Sequence, residues 1–242
     1  MKDIDRLRND EDYYGEFGSQ FLSNSDIGAL LKNPKEFKKR IPDNPAFAKG
    51  RYFHQLILEP EKINDWVLSD SSSRNTNIYK GLCQSEGADF LLLKKEAEEM
   101  TDIANVMLSN MSFFDEIRHD DVQYEVPAIK EIMGHMWKGK ADIVHPNMVI
   151  DLKTTSNIDD FKWNAKKYNY DSQAWLYNQF FGRPMVFYVV DKMSKMLGIF
   201  ETSDEFLDSG RAKVERALEV YDKFYGDNAT EDIQSFYIHE CI

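Results

Sequence analysis

Cysteine is nearly absent from the 242 residues: Cys83 and Cys241 stand far apart, with no C-x-x-C pair and no Cys/His spacing. That excludes a disulfide framework and leaves no zinc or iron–sulfur set, which needs several soft ligands at short spacing. Long apolar runs are missing as well. Nothing approaches the roughly 18 apolar residues of a membrane span, and Met1–Asp12 mixes acids and bases where a secretory leader would be apolar. The expectation is a cytoplasmic chain in a reducing compartment, with no membrane partner. No G-x-x-x-x-G-K-[ST] loop occurs, so the chain does not run on ATP by itself. Internal repeats are lacking, and the one linker-like stretch is Ser69–Asn77. Positive charge is scarce too: 30 bases against 42 acids leave a net charge of −12. As an average, that argues against a nucleic-acid binder.

The average hides a distribution. Lys32–Arg51 holds seven bases (Lys32, Lys35, Lys38, Lys39, Arg40, Lys49, Arg51) against Glu36 and Asp43, whereas Asp204–Asp232 carries nine acids and four bases. One face could be made for an anion and another repel it, or both segments are ordinary solvated helix faces. Hydrophobic residues at 42% and aromatics at 13% supply a real core. The whole chain, 1–242, reads as a single domain, mainly helical over 1–110 and with sheet and flanking helices over 120–225. Ser25 can cap a helix through Leu31, Ala46–Leu58 reads as a longer helix, and Phe90–Ser109 as another. From Asp121 the period changes to two: Val122, Tyr124 and Val126 alternate with polar residues, Met133-Gly134 turns into His135–His145, and Pro146-Asn147 turns into Met148–Lys153. Helices at Asp159–Lys167 and Tyr170–Phe181 follow, then strands at Val186–Val190 and Met196–Glu201, then a closing helix capped by Ser203. The fold class expected is α/β (α+β), with a central mixed β-sheet whose N-terminal antiparallel meander carries the site.

The chemistry concentrates in Gly139-Lys140-Ala141-Asp142 and, nine residues on, Asp151-Leu152-Lys153. Asp151 and Lys153 are two apart and share one strand face. If the intervening turn pairs the strands, Asp142 and Asp151 approach each other, giving two carboxylates and an ammonium at one spot. Hard oxygen ligands of this kind suit Mg²⁺ or Mn²⁺, and the Leu152 carbonyl adds another. Lys153 could orient or deprotonate a water and offset phosphate charge. D-x-K alone is common on surface strands, but here Val149-Ile150 precede the acid and mark a core strand, where an unpartnered carboxylate is costly.

With Gln173-Ala174-Trp175-Leu176-Tyr177 on the next long helix, G-x-x-D, D-x-K and Q-x-x-x-Y together resemble the PD-(D/E)XK nuclease superfamily. Leu22–Pro34 and Lys49–Pro60, which contains Gly50 and His54 in G-x-x-x-H spacing, are similar to the exonuclease VIII (RecE-type) and lambda-exonuclease branch. The resemblance implies that Asp142 and Asp151 bind metal, two ions per site, and that Lys153 is the catalytic lysine. It makes Glu125 a further ligand, places His54 beside the metals, and has Gln173 and Tyr177 position the DNA backbone and support the lysine. Among the bases, Lys38, Lys39, Arg40 and Arg51 are the candidates for backbone contact. The resemblance also implies a 5′-to-3′ exonuclease on double-stranded DNA ends that leaves a 3′ single strand for recombination, a single-strand annealing partner, and a homo-oligomeric ring around DNA. The composition is compatible with a phage gene in a bacterial cytoplasm. An endonuclease or single-strand exonuclease on the same fold, or an inactive DNA-end-binding module, stays open.

Overall fold

The computed structural model describes residues 3–39 and 43–239; Arg40 and Cys241 lie outside them. Three short helical turns, Asp3–Arg6, Asp10–Tyr14 and Glu16–Ser19, precede α1, Asn24–Lys32. Ser23, rather than Ser25, caps α1. Its backbone N–H and hydroxyl both donate to Asp26 Oδ2, at 2.7 and 2.8 Å, so the helix begins two residues earlier than expected. Asn44 caps α2, Pro45–Leu58, with Pro45 in the first position, where its missing N–H costs nothing. Then come α3, Asn77–Glu86, α4, Lys94–Ser109, and α5, Met111–Ile117. The helix expected from Phe90 starts only at Lys94, because Leu92–Leu93 is drawn into a two-residue parallel pairing with Leu68–Ser69.

The sheet is assembled by local turns. Strand β1, Gln123–Ile132, folds back into β2, His135–Val144, through Met133 and Gly134 at φ 53° and 78°, the doubly positive pair that suits a two-residue hairpin. Next, β3, Val149–Thr155, is antiparallel to β2 and lies parallel to β4, Met185–Asp191, along its whole length; β5, Leu197–Glu201, closes the order β1-β2-β3-β4-β5. The parallel step needs a crossover. It is supplied by α6, Phe161–Lys167, and α7, Tyr170–Phe181, the latter ended by Gly182 in the left-handed region. Capped by Ser203, α8, Asp204–Phe224, follows.

Both faces of the sheet are covered. Val149, Phe187 and Val189 pack with Ile27, Ala174 and Val214, under α1, α7 and α8. Ile150, Leu152, Tyr188 and Val190 pack with Phe53, Ile57, Met100 and Ile103, under α2 and α4. Strand β4 is buried at every position, as expected of a strand between two helix layers. Among the described residues no helix is long and apolar enough to cross a membrane.

Candidate active site

In a regular strand residues i and i+2 face the same side. Strand β2 breaks this rule at one place. Ala141 packs in the core under α1 and α7, and Ile143 in the opposite core under α2 and α4. Between them stands Asp142. Across the hairpin Glu125 has φ 48°, and the pairing register skips from Tyr124↔Ile143 to Val126↔Ala141. On its other side β2 pairs with β3 only through Ile143↔Ile150 and Val144↔Val149, so the ladder stops where continued register would set Asp142 opposite Asp151. The sheet is open at the two acids.

Side chains fill the opening. Leu152 N–H donates to Asp142 Oδ2 at 2.8 Å, in place of a strand carbonyl. Leu152 O lies 2.8 Å from His54 Nε2, and His54 Nδ1 stands 3.4 Å from Asp142 Oδ1, so α2 reaches the gap from one side of the sheet. From the other side, Gln173 of α7 donates its amide to Asp151 Oδ1 at 2.6 Å. Asp151 Oδ2 is ion-paired with Lys153, whose ammonium lies 4.8 Å from the Tyr170 ring centroid. One turn beyond Gln173, the Tyr177 hydroxyl donates to Lys140 O at 2.8 Å and accepts from Lys140 N at 3.2 Å, closing the bare edge of β2. Farther up that edge Leu22 pairs with Trp137: Lys138 N donates to Leu22 O and Leu22 N to Met136 O. Gly139 is required by this arrangement, since a Cβ there would stand 2.7 Å from the Phe180 ring and 3.2 Å from the Tyr177 ring.

Burial and charge set the protonation. Burial pushes the His54 imidazole down, but the Asp142 carboxylate more than offsets this and raises it to about 9. Burial pushes Asp142 up, but His54, Lys153 and the Leu152 amide together outweigh it and hold the carboxyl below its ordinary value. Asp151 is raised, first by burial and then by Asp142, despite Lys153. Burial lowers Lys153, but Asp151, Tyr170 and Asp142 together outweigh it and keep its ammonium protonated. Glu125 is raised by burial and by Asp142, and it meets Lys140 at 2.8 Å; Lys140 also pairs with Asp10 of the N-terminal segment at 2.7 Å.

The structure thus brings together Asp142, Asp151, Leu152, Lys153, His54 and Gln173, sets Glu125 opposite Asp142, and uses Tyr177 as a brace for β2. The basic cluster sits differently. Lys38 is folded inward, donating to Phe21 O at 2.6 Å and to Asp26 at 2.9 Å; Lys39 pairs with Glu36, and Arg51, one turn before His54, forks onto Asp43. Sequence reasoning missed Tyr170, which stands three residues before Gln173 on the same helix face, and Asp10, whose distance in sequence gives no signal.

The donor set fits a hard divalent cation. Asp142 Oδ1 and the Leu152 carbonyl flank the two ring nitrogens of the cationic His54 imidazole, so both oxygens already face positive charge. Among the described residues no group of three or more His, Cys, Asp or Glu side chains is placed to hold a metal. Mg²⁺ needs no such group: one or two carboxylates, completed by water and substrate phosphate, are its usual anchor.

A mixed sheet opened at two acids, with D-x-K on one strand and helices on both faces, defines a PD-(D/E)XK-type domain. Residues 20–231 match the model of the PDDEXK-like domain of unknown function (DUF3799), and the chain belongs to that family. A solved structure described as a candidate exonuclease from Eubacterium rectale is similar over 97% of this chain and 95% of its own, at 17% identity and a TM-score of 0.68, and shares the fold. A phage-related exonuclease from Haemophilus somnus 129PT is similar over 71% of this chain and 92% of its own, at 15% identity and a TM-score of 0.34, where the superposition carries no structural weight. No curated protein matches the sequence.

Proposed function

We propose that the chain is a metal-dependent deoxyribonuclease, working 5′ to 3′ from double-stranded DNA ends and leaving 3′ single-stranded tails for annealing recombination. The observation that supports this reading most is the opened β2–β3 ladder. An ordinary sheet would spend the backbone of Leu152 on its neighbour. Here that backbone is spent on Asp142 and His54, which sets two carboxylates and a carbonyl oxygen beside a half-buried lysine. Such an arrangement has no packing advantage, since buried carboxylates are costly unless partnered.

Asp142, Asp151 and the Leu152 carbonyl are the residues to hold Mg²⁺ or Mn²⁺, with Glu125 and His54 as further ligands, the imidazole giving up its proton when the cation binds. The bound cation supplies a Lewis acid for the phosphate charge and an acidified water. The remaining work belongs to the chain. The Lys153 ammonium, fixed by Asp151 and the Tyr170 ring, offsets charge that develops on the phosphate. Gln173 holds the Asp151 carboxylate in one orientation, and Tyr177 keeps β2 from closing on β3. Arg51, Lys38 and Lys39 exchange their acidic partners for duplex phosphates, and Arg40 adds a fourth cation. A ring of several copies, basic within and acidic outside, reconciles the net charge of −12 with DNA binding.

Linear duplexes labelled at either end, together with a closed circle, test the proposal. Label at the 5′ end should be released first, the circle should survive, and a chelator should stop the reaction until Mg²⁺ or Mn²⁺ is restored. Cutting of the circle would replace exonuclease by endonuclease, and retarded but undegraded DNA at saturating metal would leave only an end-binding module.

A further inference from the structure

Most cations of the Lys32–Arg51 cluster have acids beside them, whereas three that do not stand together on one short helix. On the short helix α6 the buried side is Phe161 and Ala165, and the other side presents Lys162, Trp163, Lys166 and Lys167, with Tyr168 at its end. Among the described residues no carboxylate lies within ion-pair distance of these three ammonium groups. Other described lysines, Lys80 and Lys95 among them, also lack such a partner; what marks α6 is that its three ammonium groups share one surface with two exposed rings. Trp163 is 70% exposed and Tyr168 57%, with Lys162 4.9 Å from the indole centroid and Lys167 5.9 Å from the phenol centroid.

The surface continues to the open sheet. Tyr168 lines a cleft of about 450 Å³ whose walls also include Tyr13, Tyr14 and Gln173, and Gln173 is the residue that holds Asp151. Tyr14 is 73% exposed. The Tyr168 ring lies 6.0 Å from that of Tyr170, which in turn faces the Lys153 ammonium. Among the described residues one cation lines this cleft, Lys138, and its ammonium is already tied to the Tyr13 carbonyl and faces the Tyr13 ring at 4.2 Å. A cleft with aromatic and neutral polar walls suits a nucleobase better than a phosphate.

We propose that the line from Trp163 through Tyr168 to the Tyr14–Gln173 cleft is a track for one unpaired DNA strand next to the cleavage site, with bases stacked on the aromatic rings and phosphates held by Lys162, Lys166 and Lys167. This inference rests on the nuclease reading for its substrate. The alternation of free ammonium groups and exposed rings selects a single strand: a duplex offers phosphates to the lysines but keeps its bases stacked on one another, out of reach of the indole.

The test uses the full-length protein in a chelator, so that nothing is hydrolysed. Tryptophan fluorescence and anisotropy are followed while a short oligothymidylate or a blunt duplex is added. The oligothymidylate should quench the fluorescence. Trp163→Ala should remove most of that quench, and Trp163→Ala and Tyr168→Ala should each weaken oligothymidylate binding about 5- to 150-fold, as expected for loss of one stacked base. Lys162→Ala, Lys166→Ala and Lys167→Ala together should lower the salt slope by about 0.7 for each phosphate no longer neutralised. In the two aromatic variants blunt-duplex affinity should change less than about twofold, because a duplex keeps its bases out of reach of the rings. These side chains are exposed, so the variants keep their packing. Oligothymidylate binding within about twofold of wild type in both aromatic variants overturns the track, as does an equal loss for duplex and single strand. Cleavage in Mg²⁺ separates the two readings. Normal cleavage with no effect of these variants on strand binding removes the track alone, whereas Trp163-dependent strand binding without cleavage under any metal removes the nuclease reading alone.

Discussion

Glu125 carries backbone strain that a substitution pair can measure. Its φ of 48° lies in the left-handed region, where a side chain costs roughly 1–2 kcal/mol. Glycine escapes that cost but loses more chain entropy on folding, by roughly 0.5–1 kcal/mol relative to alanine. At an ordinary strand position the second effect stands alone, and alanine is the more stable. At Glu125 the first exceeds it, so Glu125→Gly should be more stable than Glu125→Ala by up to about 1 kcal/mol, a melting difference of roughly 2–4 °C for a chain of this size. Both variants remove the carboxylate from Lys140, which keeps Asp10, so their difference isolates the backbone. Thermal melts and urea titrations give the order, and a nuclease assay on the same samples gives the function. If strain is retained to hold an acid against Asp142, both variants lose cleavage, the glycine one included. An alanine variant as stable as the glycine one would refute the strained conformation, and a glycine variant cleaving at the wild-type rate would remove Glu125 from the site.

Asp142→Asn and Asp151→Asn should each abolish cleavage with a cooperative melt retained; a variant keeping more than about a tenth of the rate, under ~1.4 kcal/mol of barrier, removes that acid from the chemistry. Lys153→Met should lower turnover far more than DNA affinity in single-turnover and binding assays, and Lys153→Arg should fail too, because a planar guanidinium does not fit the place that Asp151 and the Tyr170 ring give a compact ammonium. Burial, helped by Lys38, pulls Lys138 down to about 8; between that value and its ordinary one the unfolded chain binds more protons. Wild-type stability measured against Lys138→Met should therefore rise from pH 8 towards pH 10.5, and a pH-independent gap would show that the ammonium is not desolvated. Lys38→Ala, Lys39→Ala and Arg40→Ala together should flatten the salt dependence of duplex binding by roughly 0.9 for each phosphate left without its cation, whereas Glu215→Ala, Glu219→Ala and Asp222→Ala should leave it unchanged.

What sequence reveals depends on how local the cause is. The helix Tyr170–Phe181 and the Met133-Gly134 turn are read correctly because their signals, a glycine stop and a positive-φ pair, act within a few residues. Strand β4 is read as strand from a short, apolar run bounded by Pro184 and Lys192. By contrast, α3 has a helical face in Tyr79, Leu82 and Cys83, but that face spans little more than one turn and follows a polar loop, so it is easily passed over. Leu92 and Leu93 look helical until Leu68 and Ser69, far away in sequence, pair with them. Charge sums fail for the same reason: the acid that holds Lys38 lies 12 residues away, and Lys49 pairs with Glu99 at a distance of 50. A run of seven bases can be counted in sequence, but its partners cannot.

The candidate site was legible as a set of letters and not as a device. Spacing puts Asp142 and Asp151 in register, yet nothing in the spacing says that the ladder ends one pair short of them. The reason becomes visible only when each exposed backbone group of the gap is followed to its partner, since buried amides and carbonyls must find one. Asp142 takes the Leu152 amide, His54 meets the Leu152 carbonyl, Tyr177 satisfies both polar groups of Lys140, and Leu22 covers Trp137 and its neighbours. Four separate motifs, from Leu22 near the N-terminus to Tyr177 on α7, are therefore parts of one solution to one problem: how to hold two strands apart inside a buried sheet. A residue that plugs the opening and a residue that binds a cation within it face the same constraint, so Gly139, His54, Gln173 and Tyr177 are as much conditions for the site as the acids themselves.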